Sequence, residues 1–405
     1  MKLVSARWVV PIDTPPVAEG AVALADDGAV LAVGTRAELR VEFPDVPEVR
    51  AAGVLMPGLV NAHCHLELSL HADAIPGGHG VYDWAMALMR AHAGQPPERV
   101  REVAAAAAAA AVTLGTAAIG DVGNSLGAVP GIARAGLGGV MFHELLGSRE
   151  AATGDALADA AREWSEALVD WPVGLEYVPA PHAPYSAGPA LLTRIFAEAA
   201  RFERATSVHV AEDEDELALL RDGSGRWPAF LAGMGVDPAT RVPRKSPVAY
   251  LASLGAFQRP ETPPLLVHMV HADADDRRIP REAGATVALC PRSNLHIGGR
   301  LPDVDALVTE GLPLAIGTDS LASVPDLSLW AEMATLSAHF PAVPAARWLD
   351  AATRGGARAL GLRGFGTLAP GARPGVLDVL VEDVAAPLES LVRDPTPTLR
   401  WVAAP

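Results

Sequence analysis

LVNAHCHLELS, Leu59 to Ser69, closes a short apolar run with two histidines, His63 and His65, in a chain that holds 12 histidines among 405 residues. Side chains on a strand point to opposite faces in turn, so residues two apart share a face. Both imidazoles then look the same way. Two neutral imidazoles side by side make a natural pair of metal ligands, with Zn–N distances of about 2.0–2.1 Å. On this fragment alone, two surface or hydrogen-bonded histidines are the slightly better account.

Outward from this stretch the chain has a regular rhythm. Eight short apolar runs follow one another: LVNAHCH, TAAIGDVG, GVMFHELL, VGLEYVPAPH, TSVHVAE, LLVHMVHAD, TVALCPRSN and PLAIGTDS. Helical patterns lie between them, among them Glu98–Leu114 with its alanine tract, Gly154–Val169, Pro189–Arg204 and Leu327–Phe340. Alanine has the best helix propensity, so the tract needs no functional explanation. Eight strand–helix units predict an α/β fold, a (β/α)8 TIM-like barrel over residues 56–364, with its active site at the C-terminal ends of the strands. Val242–Pro264 reads as a long barrel loop. Residues 1–55 read as short strands, with Asp-Asp-Gly as a turn in AVALADDGAVLAVG. Residues 365–405 return to strand-like text, and the two ends together predict a small β-sandwich domain.

Composition bounds the function. A net charge of −16 argues against a nucleic-acid footprint, which needs a basic face. Cys64 and Cys290 are too few for a disulfide framework and fit a reducing cytosol. The N-terminal apolar run is short and broken by proline, unlike a signal peptide. No apolar run is long enough to span a bilayer. A cytoplasmic protein acting on a small molecule, without nucleic-acid or membrane partners, is the expectation; the oligomeric state, monomer or homo-oligomer, is open. The only lysines are Lys2 and Lys245. Chemistry that needs a buried lysine has almost nowhere to go.

The ends of the predicted strands collect His63, His65, His182, His209, Glu212, His271 and Asp319. Three imidazoles and a carboxylate from such a set suit one divalent catalytic metal, Zn2+ by preference and Fe2+ or Mn2+ as alternatives. Glu212, three residues past His209, is placed to carry a proton from water to a leaving nitrogen. His268 and His271 lie three apart and cannot share a strand face. His271 is nearer the strand end, so it is assigned the inward role and His268 a structural one. Asp121–Ser125, DVGNS, reads as a barrel turn whose asparagine could line the pocket.

In this order, PGLVNAHCHLE, APHAPYSAG, SVHVAEDEDE, VHMVHAD, CPRSNLHIG and IGTDS resemble the amidohydrolase superfamily, and within it the aminohydrolase branch of nucleoside and guanine deaminases and triazine hydrolases. The likeness extends to GTLAPGARPGVLDVLV near the C-terminus. It implies metal ligands His63, His65, His209 and Asp319, Glu212 as general acid/base, His271 orienting the attacking hydroxide, Asp319 also holding that hydroxide, and His182 contacting substrate near the leaving group. Many binuclear members use a carboxylated lysine on a middle strand; neither lysine here falls on one, which favours a single metal. Ser320 stands where many relatives have glycine or another small residue.

His-x-His-Leu-Glu is similar to the aminodeoxyfutalosine deaminases of the alternative menaquinone route. This likeness implies a 6-aminopurine nucleoside with an extended, carboxylate-bearing 5′ substituent. Glu67 and Trp84 are candidate substrate contacts, and Arg149 is the candidate clamp for the carboxylate, because arginine binds it as a bidentate fork; Arg292 is second. Met89 is expected to pack a helix. Deaminases of S-adenosylhomocysteine, methylthioadenosine or adenosine are the neighbouring readings, and an amide or triazine hydrolase with the same site is the alternative. A non-catalytic scaffold predicts loss of a ligand or of the shuttle, and none is lost.

Overall fold

The computed structural model describes residues 1–147, 153–259, 261–383 and 385–405. The first five strands are β1 (Lys2–Val9), β2 (Val17–Leu24), β3 (Val30–Thr35), β4 (Glu48–Arg50) and β5 (Val54–Pro57). Gly28, at φ +82°, turns the chain between β2 and β3, as the Asp-Asp-Gly signal predicts.

Every one of the eight apolar runs contains a strand. β6 (Leu59–Cys64), β7 (Thr116–Gly123), β8 (Gly138–Leu145) and β9 (Leu175–Pro181) form one parallel ladder. β10 (Ser207–Val210), β11 (Leu265–His268), β12 (Val287–Leu289) and β13 (Leu314–Ile316) form a second. The ladders join on both sides. Between β9 and β10 the His182 carbonyl accepts from His209 N at 3.0 Å. Between β13 and β6 the His63 carbonyl accepts from Thr318 N at 3.0 Å and Asp319 N at 3.1 Å, and Cys64 pairs with Asp319. The result is the (β/α)8 barrel. Gly317 allows the second join, since a Cβ there would stand 2.7 Å from the His63 carbonyl oxygen.

Parallel strands covered on both faces are largely apolar, and β6, β7 and β8 are buried at every residue, including their few polar ones, Asn61, His63, Asp121, His143 and Glu144 among them. Val60, Ala118, Phe142, Val178, Val267, Ala288 and Ala315, from seven different strands, share one buried cluster inside the barrel. The alanine tract forms the helix Pro97–Thr113, which buries Ala104, Ala107, Ala108 and Ala111. The other predicted helices appear as Thr153–Ala167, Pro189–Arg201 and Leu329–His339. Inside the predicted loop Val242–Pro264 a helix forms at Pro247–Ser253, with Ser246 accepting from Ala249 N as its N-cap.

β14 (Val376–Val379) and β15 (Leu399–Ala403) bring the C-terminal segment back to the N-terminal strands. The order is β15-β14-β5-β1-β2-β3, with β4 beside β1. One face buries Leu3, Ala21 and Ala23 beneath Leu39. Val4, Val22, Leu55, Leu368 and Val376 form the opposite core.

Candidate metal and catalytic centre

His63, His65, His209 and Asp319 meet at the C-terminal mouth of the barrel. His65 Nε2 lies 3.2 Å from both His63 Nε2 and His209 Nε2. Asp319 Oδ1 stands 3.7 Å from His65 Nε2 and 3.9 Å from His63 Nε2. His209 Nδ1 donates to the His182 carbonyl at 2.9 Å, and His65 is bonded to the backbone of Val122. These bonds occupy the Nδ1 protons and leave lone pairs on both Nε2 atoms, which face each other. Burial, helped by the neighbouring imidazoles, pushes His63 well below the ordinary histidine range and His209 down to about 4, so the rings are neutral. Buried lone pairs converging beside a carboxylate fit a cation. Ser293 Oγ donates to Asp319 Oδ2 at 2.5 Å and fixes the carboxylate.

Glu212 follows β10 and is largely buried beside this cluster, its side chain 11% exposed, not solvated in its acidic run. Burial, reinforced by the Asp319, Glu216 and Asp213 charges, raises its pKa well above the usual carboxylate range. Its backbone N–H donates to Glu216 Oε2 at 3.1 Å.

The placement of the two later histidines is reversed from the sequence reading. His268 Nε2 lies 3.4 Å from Glu212 Oε1, and its ring groups with His63 and His209. Asn294 Nδ2 donates to His268 Nδ1 at 3.0 Å, which leaves the ring proton on Nε2. His271 instead has Nδ1 3.8 Å from Glu214 Oε1, away from the cluster. The cause is backbone geometry: His268 and Met269 have φ +77° and +50°, so the strand period stops at His268. Ala211 and Asp319 also have positive φ, which places strained backbone at three of the strand ends around the site.

A cavity of about 830 Å³ opens on the centre. His182, Trp84 and Met89 line it, as does Asn124 of the DVGNS turn. His182 Nδ1 is held by Ser186 Oγ at 2.6 Å. Glu67 does not line it. A 3-10 helix over Leu66–His71 begins directly after His65, breaks the alternation and buries Glu67 against Ser125, whose hydroxyl donates to it. Arg292 is paired with Asp326 at 2.7 Å and is absent from the cavity wall, and Arg149 lies outside the described residues. Glu144, in HELL after the third run, was not singled out from sequence. Its Oε2 accepts from Asn124 at 2.9 Å and its Oε1 lies 3.7 Å from His209 Nδ1. Its position at a strand end was the available signal. A larger cavity of about 910 Å³ lies around the N-terminal ends of β10 to β12, lined by Leu265 and Thr286, and holds none of these imidazoles.

Residues 54–375 match the model of the amidohydrolase family. The chain is 32% identical over 347 residues to the aminodeoxyfutalosine deaminase of Deinococcus radiodurans, covering 82% of this chain and 80% of that protein. It is 28% identical over 384 residues to the 5-methylthioadenosine/S-adenosylhomocysteine deaminase of Pelotomaculum thermopropionicum, covering 91% and 81%. Helicobacter pylori aminofutalosine deaminase, solved with methylthio-coformycin, shares the fold at a TM-score of 0.87 and 21% identity over 100% of this chain and 99% of that one. An adenosine deaminase from Xanthomonas campestris with bound zinc has a TM-score of 0.76 at 25% identity, covering 99% and 91%.

Proposed function

The chain belongs to the amidohydrolase family and is a hydrolase of C–N bonds, and from that premise we propose that it is a metal-dependent deaminase of an adenine-type nucleoside, with 6-amino-6-deoxyfutalosine of menaquinone biosynthesis as the preferred substrate. The observation that carries the reaction is Glu212, a buried carboxyl beside converging imidazoles. The relative from Deinococcus radiodurans supports the choice of nucleoside.

His63, His65, His209 and Asp319 would hold the ion. When bound, a divalent cation supplies the Lewis acidity that makes water nucleophilic near neutral pH, and Zn2+ suits this donor set, with Fe2+ or Mn2+ possible on the same ligands. Glu212 takes a proton from the attacking water and returns it to the amine. The C–O bond forms, the C–N bond breaks, and ammonia leaves with the bonding pair. His268, with its proton on Nε2, steadies the Glu212 carboxylate and the oxygen nucleophile. His182 faces the substrate from the same cavity.

A second substrate reading, methylthioadenosine or S-adenosylhomocysteine, draws on the cavity wall. Leu88, Met89, Phe230, Met234 and Val236 make much of it apolar, and no lysine or arginine lines it among the described residues. Ammonia release by the metal-replete protein against aminodeoxyfutalosine, S-adenosylhomocysteine, methylthioadenosine and adenosine, with guanine and a triazine as outsiders, tests both. Silence on every purine with metal present in the site rejects the deaminase.

A further inference from the structure

The helix Val81–His92 turns one face to the nucleoside cavity: Val81, Trp84, Leu88 and His92 follow at helical spacing and all line it. Val81 also lines, together with Glu212, a smaller cavity next to the centre, so the first turn of this helix stands at the reacting end. His92 closes the helix, about 16 Å further along its axis. Leu88 and Met89, one turn before it, make the wall there apolar. His65, His182, His209 and His268 gather at the centre, and His92 is the imidazole of this cavity that stands apart from them. His71, buried at the end of the 3-10 helix Leu66–His71, holds its ring, with His71 Nε2 3.0 Å from His92 Nδ1. His92 Nε2 has no partner among the described residues and is not closed off from solvent. Burial keeps both rings below the ordinary histidine range, so near neutral pH the pair is uncharged.

We propose that His92 Nε2 is the contact for the far end of the substrate, an adenine-type nucleoside whose 5′ substituent ends in a carboxylate. The inference rests on the deaminase reading and names the substrate class within it. With the purine at Glu212, the 5′ substituent runs along the helix past Trp84 and Leu88, and an acceptor arriving at His92 meets an N–H. A carboxylate oxygen there selects the tautomer in which His71 donates to His92 Nδ1 and His92 keeps its proton on Nε2. No lysine or arginine lines the cavity among the described residues, which leaves the N–H donors of its wall to meet an anion. A hydrogen bond to a charged group is stronger than one between neutral groups, and an ester terminus forgoes that charge.

The test compares 6-amino-6-deoxyfutalosine with its methyl ester in the ammonia-release assay, on the metal-loaded protein. Wild type should prefer the acid. His92→Leu keeps the bulk and loses the donor, and its ratio of kcat/KM for acid over ester should fall about tenfold or more. His92→Gln returns an amide N–H near the place of Nε2 and should restore most of the ratio. Both substrates are assayed on one preparation, so partial misfolding cancels from each ratio. Equal use of acid and ester by wild type, equal losses on both in His92→Leu, or a His92→Gln no better than His92→Leu overturns the contact and leaves the deaminase standing. Ammonia from no purine nucleoside, with metal in the site, rejects the deaminase and the contact with it.

Discussion

His268 Nε2 stands 3.4 Å from Glu212 Oε1, so the proposed proton carrier and a neutral imidazole face each other across the centre. Asn294 holds the far nitrogen of that ring at 3.0 Å. The pair lets one group move a proton while its neighbour keeps it oriented.

Glu212→Gln keeps the size and most hydrogen bonds of the side chain but cannot shuttle a proton. It should retain full metal content and lose about 10²–10⁴-fold in kcat. Wild-type turnover at full metal occupancy removes Glu212 from the mechanism.

His268→Ala and His271→Ala separate the two histidines. The first should lower kcat by about 10²-fold or more, because its ring meets Glu212. The second should leave kcat within about twofold, since its ring stands away from the cluster, 3.8 Å from Glu214. The reverse ranking in steady-state assays restores the sequence-based assignment.

Chelation should abolish activity and lower Tm, and re-addition of Zn2+ should restore both; a ligand at 100 times its Kd stabilises the fold by about 2.7 kcal/mol. Ser293→Ala leaves Asp319 without its 2.5 Å donor. Metal affinity should fall about 10–100-fold, as for other supporting partners of ligands, measured by competition with a chromophoric chelator.

Glu332 is buried behind Arg292, and burial raises its carboxyl from the ordinary 4.5 to about 8 despite the opposing Arg292 charge. Between those values the folded chain keeps a proton that the unfolded chain has lost. Its contribution to stability is therefore complete below about pH 4.5 and is lost as pH rises through about 8. The stability of wild type relative to Glu332→Gln should fall with pH across this window, by up to about 1.4 kcal/mol per unit. Parallel denaturation curves from pH 5 to 8 would show that Glu332 does not titrate there.

Arg149→Ala tests the carboxylate clamp. KM for aminodeoxyfutalosine should rise about tenfold or more, the scale of one lost charge-assisted hydrogen bond, while KM for adenosine stays put. Equal effects on both substrates sink the clamp.

The barrel was legible because its eight strands are buried on both faces and interrupted by helical text. His63 and His65 were legible for the same reason, since alternation holds locally across Cys64. His268 was not, because its φ of +77° lies outside what a period-two argument describes. Glu67 was misread where a 3-10 turn replaces the strand. The His71–His92 pair and the Glu144–Asn124 bond depend on side chains brought together from separate elements, which no local pattern records.

The two parallel ladders meet along two seams, and the proposed ligands sit on them. His63 and His65 come from one half of the barrel, His209 and Asp319 from the other, and the backbone bonds that join the halves run through His63, His182, His209 and Asp319 themselves. A bound cation would thus rivet the halves together. Losing it should loosen the seams before any single strand, so protection of the Asp319 and His209 amides from exchange would report metal occupancy without any turnover at all.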